Sequence, residues 1–139
     1  MIKKIKILGI IPARSGSKGI KNKNTSLLGG LPLIAWSICA ANNSRYIDDF
    51  VVTSDSQKII NISKKFNAKK IIKRPINLSD DKTSMNKVIR HTLNKVKGNY
   101  DYFVLLQPTS PFRSSKDIDK ALEILCKNKY KILVSISLL

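Results

Sequence analysis

Short apolar runs and helix-period segments alternate along this whole chain, and that alternation constrains its fold more than any other feature. Residues 5–11, apolar apart from Lys6, form a run that stops at Pro12, as in a strand buried on both faces. A Gly-, Ser- and Lys-rich loop follows, and Gly29-Gly30-Leu31-Pro32 opens a helix with Pro32 in its first turn. That helix carries Trp36 and Cys39 on its apolar side to about residue 42. Residues 50–53 read as a second strand. Ser54 or Asp55 is placed to cap a helix with Ile59, Ile62 and Phe66 on one face. Residues 70–72 form a third strand, and Met85, Val88, Ile89, Leu93 and Val96 mark a third helix. Residues 102–106 form a fourth strand. A helix from Ser115 carries Ile118, Ala121, Leu122 and Leu125, and the apolar, β-branched residues 132–136 read as a fifth strand.

Strands and helices in strict alternation imply right-handed crossovers, hence an α/β fold with a largely parallel sheet and helices on both faces. Ligands of such sheets bind beyond the C-terminal strand ends. Those ends carry residues 12–18, Ser54-Asp55, Arg74 and residues 107–113, the most polar stretches of the chain. No internal repeat or low-complexity linker interrupts the pattern. The sequence stops at Leu139 straight after a strand with no covering helix, so residues 1–139 read as the N-terminal, nucleotide-binding part of one incomplete domain.

The formal charge of +17 raises nucleic-acid binding as a function, but only five of the 26 basic residues are Arg, the better reader of phosphates and base edges. Lys, Ile and Asn, all abundant, share A/T-rich codons, so genome composition accounts for much of this balance. Aromatic residues are 6% and form no stacking stripe, which disfavours a single-strand binder. No run of about 18 apolar residues is present to span a membrane, and the basic N-terminus lacks a cleavage site. Cys39 and Cys126 sit in apolar helical patterns and read as buried thiols in a reducing cytoplasm, and with one histidine no Cys/His metal site can be assembled.

Two loops carry chemistry. In the first, Pro12-Ala13-Arg14-Ser15-Gly16-Ser17-Lys18-Gly19, Gly16 and Gly19 let backbone N–H groups converge, while Arg14, Lys18 and Lys23 add positive charge. That set suits a triphosphate, although it is neither a Walker A loop nor a dinucleotide fingerprint. The alternative is a flexible basic turn. In the second, Gln107-Pro108-Thr109-Ser110-Pro111-Phe112-Arg113, two prolines stiffen the chain, and Gln107 offers a donor and an acceptor for a base or a sugar hydroxyl. The alternative is a rigid connection with Arg113 on the surface.

Together with Lys23-Asn24, Ser54-Asp55 and Arg74-Pro75, these stretches resemble the acylneuraminate cytidylyltransferase family, which includes legionaminate and pseudaminate cytidylyltransferases. The resemblance runs from residue 5 to the end and implies an α/β nucleotidyltransferase fold. It implies joining of CTP to a 2-keto acid sugar, giving CMP-sugar and pyrophosphate with Mg²⁺, by a cytoplasmic homodimer. The alternative is an incomplete nucleotide-binding module without catalysis.

Carried over, the resemblance sets Arg14 and Lys18 against the triphosphate as the catalytic pair. Ala13, Ser15, Gly16, Ser17, Lys23, Asn24, Arg74 and Ser84 surround the nucleotide, with Ala13 at the cytosine and Asn24 holding the nucleotide or the loop. Gln107, Thr109, Ser110 and Arg113 face the acyl-sugar. The attacking group is the sugar's own anomeric hydroxyl, so no protein nucleophile is required. The related KDO enzymes carry an acidic residue where Thr109 stands, which favours the neuraminate-like branch. The family's metal-binding aspartates are expected beyond Leu139, and with them turnover. The other polar residues have blander readings. Asp80-Asp81 precedes a helix and reads as its cap, His91 as a boundary residue and Trp36 as core, while Asp55 is divided between a cap and a ligand contact.

Overall fold

The structure, a computed structural model, describes residues 4–16 and 22–136. Its centre is β1 (Ile7–Pro12), every residue of which is buried. β1 pairs in parallel with β4 (Asp49–Ser54) on one side and β6 (Tyr102–Leu105) on the other, and β5 (Lys70–Lys73) extends the sheet beyond β4. The strand order is β5-β4-β1-β6. The chain therefore steps outward from β1 through β4 to β5, then crosses back to β6. The direction reverses between β1 and β6, the position at which open α/β sheets bind ligands.

Alternation along β1 divides the core. Ile7 and Ile11 join a cluster with Ile34 and Ile38 of α1 (Leu33–Asn43), Ile59 of α2 (Gln57–Lys65), and Ile118, Leu122 and Leu125 of α4 (Ser115–Lys127). Leu8 and Ile10 point the other way, with Val51, against Ile89 and Val96 at α3 (Met85–Lys95). Helices thus cover both faces, three on one and one on the other. Between them Gly9 sits where β1 is squeezed hardest: a Cβ there would lie 3.0 Å from Phe50 Cβ on the neighbouring strand.

Serines start three of the helices. Ser56 Oγ accepts from Ile59 N and Ser84 Oγ from Lys87 N. Ser114 forms a reciprocal box in which its Oγ accepts from Asp117 N and Asp117 accepts from Ser114 N. The cap of α2 is therefore Ser56, one or two residues later than the sequence suggests, because the backbone of Ser54 is still in the sheet, where its carbonyl accepts from Arg74 N. Asp80 and Asp81 do not cap α3. Asp80 closes the preceding turn through Lys82 N and Thr83 Oγ1.

Further differences from the sequence reading follow from local geometry. Gly29 and Gly30 have φ of 58° and 84° and make the two-residue turn between β2 (Leu27–Leu28) and β3 (Leu31–Pro32), so Pro32 ends a hairpin and α1 opens at Leu33. Trp36 is half-buried beneath that hairpin, its Nε1 donating to Leu28 O at 2.9 Å, and is not part of the main core. Cys39 and Cys126 are free and half-buried rather than enclosed. Residues 132–136 are not a strand: Ile132, Val134 and Ile136 are exposed, and only Leu133 touches the core. β-Branched, apolar sequence favours extension, but a strand also needs a neighbour's N–H and C=O groups, and no described strand offers them to this segment.

Two outcomes are expected. Gly9→Ala should cost about 1–3 kcal/mol in denaturant unfolding, by overpacking β1 against β4. Acid should destabilise the fold through three carboxylates held below their ordinary range: Asp49 by the Tyr100 hydroxyl, Asp80 by the Thr83 hydroxyl and Asp117 by the Ser114 N–H. A folded pKa below the unfolded value of about 3.9 gives stability that is present above that value and lost as pH falls through the folded one. Melting temperatures taken from pH 5 down to pH 2 should therefore fall, and fall less in Asp117→Asn.

Candidate functional site

At the reversal point the loops after β1, β5 and β6 meet around an open cleft of about 230 Å³, lined by Pro12, Arg14, Lys23, Asn24, Arg74, Met85, Gln107, Pro108 and Thr109. A water occupies about 30 Å³ of liquid, so the space is of ligand size rather than ion size. The lining includes three cationic side chains and no carboxylate. The arrangement suits an anion with a flat polar group.

The β1 end is set by backbone bonds. Ala13 N donates to Thr53 O at 3.0 Å, prolonging the β1–β4 ladder by one residue and burying Ala13. The chain then turns, and Asn24, buried in a 3-10 turn over Lys23–Thr25, returns to hold it: its Nδ2 donates to Arg14 O at 2.9 Å. Asp55, just past β4, accepts from both Ser15 N at 2.8 Å and Ser15 Oγ at 2.6 Å. Asp55 thus braces the first loop rather than capping α2. Arg14 itself pairs through Nη1 with Asp81, which reaches across from the loop before α3. Ser17, Lys18 and Gly19 lie outside the described residues.

Arg74 is buried behind the cleft. Its backbone N–H donates to Ser54 O, and its guanidinium donates to Leu78 O at 3.2 Å and Thr53 O at 3.4 Å. Burial pushes its pKa down from the ordinary arginine value, with Asp55 opposing that shift and Arg14 adding to it. Its Nε, and Thr53 Oγ1 nearby, have no protein partner. A buried N–H left unmatched is unfavourable, so Arg74 holds unsatisfied donor capacity at the cleft wall.

On the β6 side Leu106 N donates to Ile10 O, and Pro108 is buried, which fixes Gln107 at the cleft edge. Arg113 turns back into the protein, donating to Gln107 O at 3.1 Å and Ser37 Oγ at 3.4 Å, with Nε buried and unpartnered. Its geometry here is that of a brace for the 107–113 loop. Burial lowers its pKa, and Asp117 partly offsets this. Thr109 lines the cleft from an exposed position, and Ser110, also exposed, closes the turn through Ser110 N to Gln107 O. Ser84 is committed to its helix cap, and its neighbour Met85 reaches the cleft wall instead.

Asp81 and Met85 stand at this site without having been read as such from the sequence, whereas Asp55 was divided between a cap and a ligand contact. Asp55 carried a signal, since it directly follows a parallel strand. Asp81 carried none, because its loop has no periodicity, and Met85 carried only the helical period that marks α3. Among the described residues, no group of three or more His, Cys, Asp or Glu is placed to hold a metal ion.

A family model described as cytidylyltransferase matches residues 8–137. The chain is 42% identical over 133 residues to an N-acylneuraminate cytidylyltransferase of Escherichia coli O18:K1:H7, a match covering 95% of this chain and 31% of that protein. It is 39% identical over 136 residues to a CMP-N,N'-diacetyllegionaminic acid synthase of Legionella pneumophila, covering 96% and 58% respectively. Among solved structures it is similar to a CMP:2-keto-3-deoxy-manno-octonic acid synthetase complexed with CTP, with a TM-score of 0.75 and 22% identity over 89% of this chain and 48% of that one. That last likeness is one of fold. The chain therefore spans between 31% and 58% of the length of these two curated relatives.

The brace at Ser15 gives a direct test. Asp55→Ala removes the acceptor of two hydrogen bonds and should free the Ser15 amide. Its hydrogen exchange should speed up at least several-fold, while amides of β6 stay protected.

Proposed function

The chain belongs to the cytidylyltransferase family, and from that premise we propose that its cleft binds CTP and serves activation of a 2-keto acid sugar of the acylneuraminate kind. The observation that carries this reading is the convergence of Arg14, Lys23 and Arg74 with Gln107 in one carboxylate-free cleft at the sheet's reversal point. Arg14, with Lys18, lies against the triphosphate. Backbone groups of Ala13, Ser15, Gly16 and Ser17 and the side chains of Lys23 and Asn24 complete the phosphate and nucleotide contacts. Arg74 offers its unmatched Nε to the nucleotide from behind. Ser84 acts there through its cap, by fixing the start of α3. Gln107, Thr109 and Ser110 face the sugar acid, and Arg113 holds their loop in place.

In the reaction we propose, the sugar's anomeric hydroxyl oxygen bonds to the α-phosphorus. The bond from that phosphorus to the bridging oxygen of the β-phosphate breaks, pyrophosphate leaves with the bonding electrons, and the hydroxyl proton passes to water. Charge grows on the departing pyrophosphate, so preorganised cations there lower the barrier more than they tighten the ground state. Mg²⁺ accompanies the triphosphate in this reading. The described cleft lining, cationic and without carboxylates, does not fit as the ion's ligand set. We place the protein in the cytoplasm, working as a homodimer.

Isothermal titration separates this reading from its alternatives. CTP should bind more tightly than ATP, GTP or single-stranded DNA. Arg14→Ala should weaken CTP by about ten-fold or more, the loss of a charge-assisted contact of about 1.5–3 kcal/mol. Equal binding of all four ligands would contradict the reading. CTP binding without pyrophosphate release in the presence of a sugar acid would identify a binding module.

A further inference from the structure

The cleft concentrates positive charge, and one of its cations, Arg14, meets a carboxylate of the protein itself. Arg14 is paired with Asp81. The two come from different loops, one after β1 and one before α3, so the pair bridges the cleft mouth. Its environment sets its strength: the side chains are 27% and 50% exposed, where ion pairs are weak and easily exchanged. Behind Arg14 lies the buried Arg74, whose pKa Arg14 depresses, a sign that the two guanidiniums repel. A negative group beside Arg14 relieves that repulsion.

The neighbouring carboxylate makes a sharp contrast. Asp80 is engaged by its own turn, accepting from Lys82 N at 3.0 Å and Thr83 Oγ1 at 2.8 Å. The same turn presents Asp81 to Arg14. Two adjacent carboxylates of equal charge thus do different jobs, and only one meets the phosphate-binding arginine.

We propose that Asp81 is an internal counter-ion that holds Arg14 when no nucleotide is bound and competes with the polyphosphate of the incoming nucleotide. This rests on the reading of the cleft as a triphosphate site. Once a polyphosphate reaches Arg14, the Asp81 carboxylate faces like charge and swings out. The loop before α3 is then released from the loop after β1. Affinity for any ligand that needs Arg14 is lowered by the fraction of time the pair is closed.

The test is titration calorimetry with CTP, inorganic tripolyphosphate and cytidine. Asp81→Asn should tighten CTP and tripolyphosphate by about two- to five-fold, the range open to an exposed ion pair, and leave cytidine unchanged. Asp81→Ser, which also shortens the side chain, should show the same gain. Asp80→Asn removes the same charge one residue away and should show none. In an Arg14→Gln background the Asp81→Asn gain should vanish, since the cycle isolates the pair. An unchanged or weaker CTP affinity in Asp81→Asn would overturn the proposal, as would an equal gain in Asp80→Asn or in the Arg14→Gln background. A wild-type chain that binds neither CTP nor tripolyphosphate would instead overturn the triphosphate site itself, and the counter-ion role with it.

Discussion

The structure depends on one strand being buried on both faces. β1 has no exposed residue, so helices must cover the sheet on both sides, and parallel neighbours must satisfy its backbone on both edges. Once β4 and β6 flank it, the order of the remaining elements reverses at its C-terminal end. The chain that leaves Pro12 enters the opening there, where Pro12 and Arg14 line the cleft. The site is therefore a consequence of how the core is packed. Gly9, the one small residue of β1 in the sheet interior, marks how closely β4 approaches.

Electrostatics then decides what the opening can hold. The cleft lining is cationic, and carboxylates occur only around it: Asp55 on the Ser15 amide and hydroxyl, Asp81 on Arg14. Each occupies a donor that an anion could use. Arg74 and Arg113 show a second arrangement, in which buried guanidiniums are held by backbone carbonyls with an Nε left over. Arginine serves here as a brace, which its planar set of donors permits.

The fold was legible because its strongest signals are periodic. The apolar run before Pro12 and the faces of Ile59-Ile62-Phe66 and Ile118-Leu122-Leu125 each specify an element and its buried side, and the alternation specifies a parallel sheet. The Gly29-Gly30 hairpin was missed because its strands are two residues long, too short for any period. Residues 132–136 were misread because their composition favours a strand while pairing depends on a partner that composition does not reveal. At the site, Arg14, Lys23, Asn24, Arg74, Gln107 and Thr109 meet in one cleft; Arg14, Arg74, Gln107 and Thr109 stand in or beside strand ends that topology points to, and Lys23 and Asn24 come from the 3-10 turn farther along the chain. Asp81 arrives from an irregular loop and Met85 from the first turn of α3. Their position depends on the Asp80 turn and the Ser84 cap, which are tertiary details. The sequence reading sets Arg113 toward the acyl-sugar, with a surface position as the alternative; its guanidinium turns to Gln107 and Ser37.

The central claim is that the opening at the C-terminal ends of β1 and β6 is a nucleotide triphosphate site. Hydrogen exchange of the chain with and without saturating CTP tests it most directly. Protection should increase at residues 14–16, 22–25 and 107–110 and in the loop before α3. The opposite end of the sheet, where Tyr100 and Lys70 bind Asp49, should be unaffected. Protection confined to that far end, or no change anywhere with CTP bound, would contradict the account.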